Sequence, residues 1–367
     1  MSSKTLPSLF IGLMTGTSVD GIDAVLASIG DNYFSLVSTL SQPIPASLRG
    51  EILDLCQPGG NEIDRAGSAS LQLAQHYAST CQALLSQADI APEEIHAIGC
   101  HGQTVRHRPQ IPGFSVQLGC PDTLAVKTNI PVVSNFRNKD IALGGQGAPL
   151  VPPFHRQLFA RPDQRIAVVN IGGMANVTLL ENDHLIGGFD TGPGNVLMDS
   201  WVQHHHQQPY DRNGDWAAST QPDLALLNSL LNDPYFRLPP PKSTGREHFS
   251  PDWLNRTLAN HRLTASAVQS TLAELTARSI SDVLADFQPD QVLICGGGAH
   301  NRHLLERLQT LLNTSVTSTA EQGLEPDWVE AAAFAWLAWA RMEDKPGNAP
   351  VVTGASREAI LGQITLP

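Results

Sequence analysis

The stretch FIGLMTGTSVDGIDAVL, residues 10–26, sets two apolar runs on either side of a polar turn broken by glycine. Phe10 to Met14 and the alternating Ile22, Ala24, Val25 and Leu26 predict the two strands of a β-hairpin, joined through Gly16 to Gly21. Gly16 and Gly21 let backbone amides come close to a ligand and point together at an anion. Thr17, Ser18, Asp20 and Asp23 add hydroxyls and carboxylates of the kind that hold phosphate and Mg²⁺. An ordinary hairpin with solvated polar residues would look the same, so the rest of the chain has to choose between the two readings.

A second stretch, RIAVVNIGGMANVTLL at 165–180, is again strand, glycine turn, strand. Leu71, Ala74, Ala78, Cys81, Leu85 and Ala88 form one helical stripe, followed by the strand IHAIGC (95–100) and the turn HGQT. Leu272, Leu275, Ile280, Val283, Leu284 and Phe287 repeat the stripe, and QVLICGGG (291–298) is again strand into glycine turn. The two halves therefore read as a weak duplication. The offset is 157 residues between Ile11 and Val168 and 197 between Ile95 and Val292, so the second half carries about 40 extra residues. They are expected near 201–255, where NDPYFRLPPPKSTGREHFS resists regular structure; a lid, a binding loop or a surface excursion would all fit.

Two α/β domains with mixed sheets follow, with a cleft between them that the glycine turns face. LGGQGAPLVPP at 143–153 marks the expected boundary, giving domains of 1–140 and 141–344. The apolar helix WVEAAAFAWLAWA (328–340) is expected to close the second domain, and 345–367 to fold back on either one.

Composition narrows the class. The chain has 367 residues, enough for two ordinary domains, and its net charge of -12 opposes a general nucleic-acid role. Five cysteines, at 56, 81, 100, 120 and 295, form no C-x-x-C pair and leave one over in any disulfide scheme, which suits a reducing cytoplasm. The apolar run Leu9 to Met14 is too short for a signal segment, and 328–340 is too short for a membrane span and carries Glu330. No membrane association is expected.

No G-x-x-x-x-G-K-[ST] occurs, which disfavours a P-loop NTPase. VLICGGGAHN (292–301) is an incomplete dinucleotide fingerprint, with Asn301 in the place of the third glycine. Taken together, GTSVDG, NIGGMAN and CGGGAHN offer the backbone amides that a nucleotide held between two domains requires. In GGFDTGPGN (187–195), Asp190 could be a catalytic base or could simply bond turn amides, and the pattern does not separate the two. The run His204, His205, His206 reads as a polar loop rather than a metal site, because consecutive residues do not converge on one ion.

GLMTGTSVDGIDAVL, HGQT, NFRNKDIALGGQGAPLVP, NIGGMANVT, GFDTGPGN and GGGAHN, in that order, resemble the anhydro-N-acetylmuramic acid kinases, sugar kinases of the actin, hexokinase and Hsp70-like superfamily. The resemblance runs from Phe10 to about Gln363. It implies two related α/β domains of the actin-like ATPase, ribonuclease H-like type, with ATP in the cleft. It also implies that ATP, water and 1,6-anhydro-N-acetylmuramic acid give N-acetylmuramic acid 6-phosphate and ADP, a step of peptidoglycan recycling. Asp190 matches the family's general base, which turn amides would keep anionic and aimed.

Gly16, Thr17, Ser18, Asp20, Gly21 and Asp23 match the ATP motif, with Asp20 reaching Mg²⁺ through water. Asn170, Gly172, Gly173, Gly296, Gly297 and Gly298 are expected to approach phosphates and adenosine from the second domain. On the sugar side the resemblance implies Arg137 for the lactyl carboxylate and Glu330 for a hydroxyl, with His101 lining the site. A surface ion pair for Arg137, a helix-start carboxylate for Glu330 and a turn histidine for His101 are the plain alternatives. A nucleotide-switched binding protein of the same fold, a dinucleotide oxidoreductase and a plain glycosidase are the competing functions, and the reading leaves room for a homodimer.

Overall fold

The computed structural model describes residues 7–16, 18–110, 112–246 and 248–367; Thr17 of the expected nucleotide motif lies outside them. The chain divides into two compact units, Met1–Leu158 with Trp328–Pro367, and Phe159–Asp327.

The first unit is built on strands β1 (Ser8–Met14), β2 (Gly21–Gly30), β3 (Tyr33–Pro43) and β4 (Ile95–Cys100). A separate hairpin, β5 (Gln103–Arg108) and β6 (Phe114–Leu118), follows, and then β7 (Val132–Ser134). The opening hairpin forms as the alternation predicts, with Met14 opposite Asp23, and β1 then pairs in parallel with β4. In the second unit lie β8 (Arg165–Ile171), β9 (Met174–Glu181), β10 (His184–Pro193), β11 (Gln291–Cys295) and β12 (Ser315–Ser318). Its sheet runs β10-β9-β8-β11-β12, and the first runs β3-β2-β1-β4-β7 with β13 (Gln363–Thr365) added beyond β7. In each, three antiparallel strands lead into two parallel ones in the same order, so the duplication inferred from the glycine turns is a duplication of topology.

Successive residues of β1 face opposite ways. Ile11 and Leu13 join the core formed with Leu73, Tyr77, Ala78, Cys81 and Leu84 of the helix Glu62–Ala88. The expected stripe holds at Ala74, Ala78, Cys81 and Leu85, while Leu71 is exposed and Leu73 and Tyr77 join the buried face. Gly12 faces the other way, beside its register partner Gly99 on β4. A Cβ on Gly12 would overlap the carbonyl oxygen of Ala331, and one on Gly99 that of Phe334. The paired glycines thus let the helix Val329–Met342 lie directly on the first sheet.

That packing corrects the expected domain division. The apolar helix and the residues after it belong to the first unit, and the division falls between Leu158 and Phe159 instead of at 140/141. An all-apolar helix has no polar face to say which sheet covers it. The extra stretch of the second half is also more regular than its prolines suggest. It contains the helices Val196–His206, Leu224–Leu231 and Pro251–Leu258, and Leu226, Leu230 and Phe249 are fully buried in the second core. Among the described residues no helix is long and apolar enough to cross a membrane, and none of the five cysteines is in a disulfide.

Two measurements follow from this packing. Gly12→Ala or Gly99→Ala forces backbone apart at the centre of the first unit, and the expected loss is about 3 kcal/mol in chemical denaturation. Buried His155, on the helix Pro152–Phe159, is held neutral, with its pKa pushed from 6.5 down to about 3 by burial. The unfolded chain takes up that proton first, so the stabilisation is complete above 6.5 and is lost as pH falls towards 3. The slope from this one group is at most about 1.4 kcal/mol per pH unit. His155→Gln is expected to show a shallower fall in melting temperature between pH 6.5 and 4.

Candidate active site

The turn after β1 is shaped by three local contacts. Val19 N donates to Gly16 O at 3.2 Å, Ser18 Oγ donates to Asp20 Oδ1 at 2.6 Å, and Ile44 N donates to Asp20 O at 3.0 Å. Val19 is driven to a left-handed φ of 53° while its side chain sits in the first core. For a β-branched residue that conformation costs roughly 1–3 kcal/mol, which the burial of the isopropyl group helps to offset. Asp20 stays exposed, and Asp23 lies at the start of β2. Among the described residues other than its chain neighbours, nothing lies within 4 Å of where a Cβ on Gly16 would stand.

Because β4 runs parallel to β1, the turn HGQT emerges beside the opening turn. His101 N donates to Leu13 O at 3.1 Å, and Thr15 Oγ1 bonds both Gly102 O and the buried Tyr77 hydroxyl. His101 is buried, and burial with the nearby Arg137 charge holds its pKa well below the ordinary value. Its Nε2 therefore accepts from the Arg137 guanidinium, at 2.8 Å from Nη2 and 3.2 Å from Nε, and Arg137 Nη1 donates to Gly147 O at 2.7 Å. The half-buried Glu330 carboxyl at the start of the helix Val329–Met342 is pushed up by burial, against the pull of Arg137 and with the help of Asp23. The structure thus brings Asp23, His101, Arg137 and Glu330 into one electrostatic cluster within the first unit. His107 belongs to it too; burial and the Arg137 charge hold its pKa at about 4. Sequence reading missed His107, although its place on β5 three residues after HGQT was a usable signal.

In the second unit β8 and β11 are adjacent and parallel, with Asn170 opposite Cys295, which brings NIGG and CGGG together. Gly296 takes a φ of 72°, and a Cβ there would overlap Asn170 Oδ1. Not every glycine amide is available to phosphate. Gly172 N donates to Met174 O and Gly296 N to Pro326 O, while the amides of Gly194, Asn195 and Val196 are taken by the carbonyls of Gly172 and Gly173. These glycines shape the turn, and Asn170 Oδ1 is buried there with no hydrogen-bond partner among the described residues.

Gly297 also lines a cavity of about 280 Å³ together with Asn195, Asp199, Tyr210, Asp211, Asn213 and Asn301. Burial pushes the Asp199 carboxyl up to about 7, with Arg246 opposing and Asp211 adding. None of Asp199, Tyr210, Asp211 and Asn213 was singled out from sequence, since only Asp199 sits near a glycine motif. A larger cavity of about 420 Å³ lies by Glu51 and Arg65 in the first unit; those two pair at 2.7 Å, and it touches none of the candidate residues.

Asp190 sits on β10 beside a register shift, opposite Asn176. Its backbone is clamped by the extra segment, with Asp190 N donating to Lys242 O at 3.2 Å and Tyr235 Oη donating to Asp190 O at 2.8 Å. Thr244 N donates to Asp190 Oδ2 at 2.9 Å. That amide comes from 54 residues downstream and not from the glycine turn around Asp190, which is why spacing did not find it. Lys242 is buried with its ammonium 4.8 Å over the Tyr235 ring; burial lowers its pKa and Asp190 raises it. His204 to His206 form the last turn of the helix Val196–His206, not a loop, and pack on Trp201 and Trp216. Among the described residues no three His, Cys, Asp or Glu side chains are placed together so as to hold a metal ion.

Sequence similarity over nearly the whole chain makes it an ATP-using phosphotransferase that acts on an alcohol group. The sequence model of anhydro-N-acetylmuramic acid kinase matches residues 8–367, and the chain belongs to that family. Anhydro-N-acetylmuramic acid kinase of Shewanella pealeana is 49% identical over 358 residues, covering 96% of this chain and 97% of that one. The Saccharophagus degradans enzyme of the same name is 48% identical over 369 residues, covering 98% and 100%. Among solved structures, the activator of 2-hydroxyisocaproyl-CoA dehydratase from Clostridium difficile with bound ADPNP aligns over 91% of this chain and 96% of that chain, at 11% identity and a TM-score of 0.47.

The charge of Arg137 opposes protonation of His101. Arg137→Met is expected to move the His101 imidazole titration, followed by NMR, to higher pH; an unmoved titration would assign the whole depression to burial.

Proposed function

We propose that the protein opens the anhydro bridge of 1,6-anhydro-N-acetylmuramic acid with water while transferring the γ-phosphoryl group of ATP to the sugar O6. Water forms a bond to the anomeric carbon as the bond from that carbon to O6 breaks. O6 takes the phosphoryl group, ADP leaves, and the proton of the water passes to a carboxylate. The products are N-acetylmuramic acid 6-phosphate and ADP. Capture of O6 by phosphorus removes the alkoxide as it forms, so neither step has to carry a free high-energy anion.

The observation that carries this reading is the setting of Asp190. A carboxylate on a bulged strand, with Oδ2 held by the Thr244 amide and its backbone fixed by Tyr235 and Lys242, is aimed by a rigid frame as a general base has to be. Thr244 Oγ1 is buried beside it with no hydrogen-bond partner among the described residues, as expected of a group that completes its bonding on a ligand. Arg137 and Glu330 take the sugar, the guanidinium binding the lactyl carboxylate and Glu330 a hydroxyl, with neutral His101 orienting the arginine.

For ATP, the proposed contacts are Gly16, Ser18, Gly21 and Asp23 of the first unit and Asn170, Gly297 and Gly298 of the second. The cavity beside Gly297 has room for a nucleoside, with Tyr210 and Asn213 on its wall. Exposed Asp20, bonded by Ser18 Oγ, fits Mg²⁺, which takes one or two carboxylates and keeps several waters. The ion would offset charge on the phosphates. Five cysteines with no disulfide among them accord with work in the cytoplasm.

Asp190→Asn is expected to bind ATP as before and to lose roughly a thousandfold or more in kcat. Turnover of the unaltered enzyme in ¹⁸O water, read by mass spectrometry, is expected to place one heavy oxygen at the anomeric position. A product without it, or an active Asp190→Asn variant, would sink the mechanism.

A further inference from the structure

Asp140 has no part in the reaction as described, yet its carboxylate is completely buried in the first unit. It lies on the short helix Arg137–Ala142, three residues after Arg137. Its Oδ2 accepts from Gly147 N at 2.8 Å, and its Oδ1 accepts from Asn348 Nδ2 at 2.7 Å and Thr353 Oγ1 at 2.8 Å. All three partners are neutral donors, a set that an ionised carboxylate satisfies and an amide does not.

We propose that Asp140 is a positioning residue for sugar binding, which acts by fixing the glycine loop whose carbonyl aims the Arg137 guanidinium. The inference rests on the reading of Arg137 as a sugar-binding residue. Gly147 is held at both ends, its amide by Asp140 and its carbonyl by Arg137 Nη1 at 2.7 Å. The loop returns to the helix a second time, since Gly145 N donates to Asp140 O at 2.9 Å. No side chain could intervene. A Cβ on Gly145 would overlap Asp140 Oδ2, and Gly147 takes a φ of 67° with Ile141 against it.

From the other side, Asn348 Oδ1 accepts from Ala359 N at 2.7 Å, so the carboxylate also fastens the segment 348–359 to the loop. The guanidinium is thus tied to Gly147 on one edge and to His101 on the other, and Asp140 fixes the first tie. A planar, two-point grip on a carboxylate tolerates little rotation, so slack at Gly147 reaches the sugar and leaves the nucleotide untouched.

The test is steady-state kinetics of the full chain with the anhydro sugar and ATP varied in turn. Asp140→Asn is expected to raise the sugar KM roughly tenfold and to leave the ATP KM within about twofold. Combined with Arg137→Lys, it is expected to raise the sugar KM no further than Arg137→Lys does alone, because both changes remove the same alignment. Thr353→Val keeps the carboxylate and removes one donor, with an expected rise of about threefold.

A folded Asp140→Asn variant whose sugar KM is unchanged, whose ATP KM rises in step, or whose effect adds to that of Arg137→Lys would overturn the inference. Should Asp140→Asn fail to fold, an unchanged sugar KM in Thr353→Val overturns it instead, and the threefold rise supports it. An unchanged sugar KM in Arg137→Lys overturns the reading of Arg137 itself, and this inference with it. A rise in Arg137→Lys without one in Asp140→Asn leaves that reading standing and removes only Asp140.

Discussion

Backbone rests on backbone where the helix Val329–Met342 crosses β1 and β4, and the height of that helix above the sheet is set by the absence of two side chains, at Gly12 and Gly99. The sugar-side cluster depends on this contact. The helix brings Glu330 to the neighbourhood of Asp23 and Arg137, and it sets Phe334 against the His101 ring, with centroids 4.7 Å apart. Raising the helix by the depth of one methyl group would shift a carboxyl and an aromatic ring together, in a place where hydrogen bonds fix positions to tenths of an ångström. A run of alanines along the helix, at 331, 332, 333, 335 and 338, answers the glycines with small side chains of its own.

The two units use one strand order for different chemistry. In the first, the turn after the first strand carries hydroxyl and carboxylate groups, and the turn after the fourth carries an imidazole kept neutral by burial and by a guanidinium. In the second, the equivalent turns are nearly bare backbone: the carbonyls of Gly172 and Gly173 hold the amides of Gly194, Asn195 and Val196, and Gly296 N donates to Pro326 O. What the second unit lacks in side chains at these turns it receives from its extra segment. Asp233 gathers bonds from Tyr235 N, His248 and the Trp253 indole, and Phe249 is buried among Tyr235, Phe236 and Trp253. This aromatic knot makes the proline-rich stretch rigid enough to hold Asp190 from outside its own strand.

The parts of this arrangement that were legible in the sequence are the local ones. Alternation and glycine placement announced both hairpins, and the repeated passage from strand to glycine turn announced the common topology, because period and turn chemistry act over a few residues. Contacts across long separations were not legible. Nothing near Asp190 foretold the Thr244 amide, nothing in NIGG foretold that Gly172 would spend its amide on Met174, and nothing in NFRNKD foretold that Asn348 and Thr353 would meet Asp140. The helix at 329–342 was found as a helix and given to the wrong unit, for an all-apolar surface carries no address.

The discontinuity of the first unit bears on the order in which a growing chain can acquire structure. Residues 159–327 are contiguous, so the second unit has all of its strands as soon as that stretch leaves the ribosome. The first unit, although translated earlier, lacks a covering helix and its edge strand β13 until residues 329–365 follow, and one face of β1 and β4 stays bare in the meantime. Domains usually mature in the order they are synthesised. In this chain the later half is the one able to mature first, and the nascent amino-terminal sheet is the stretch that chaperones would find exposed.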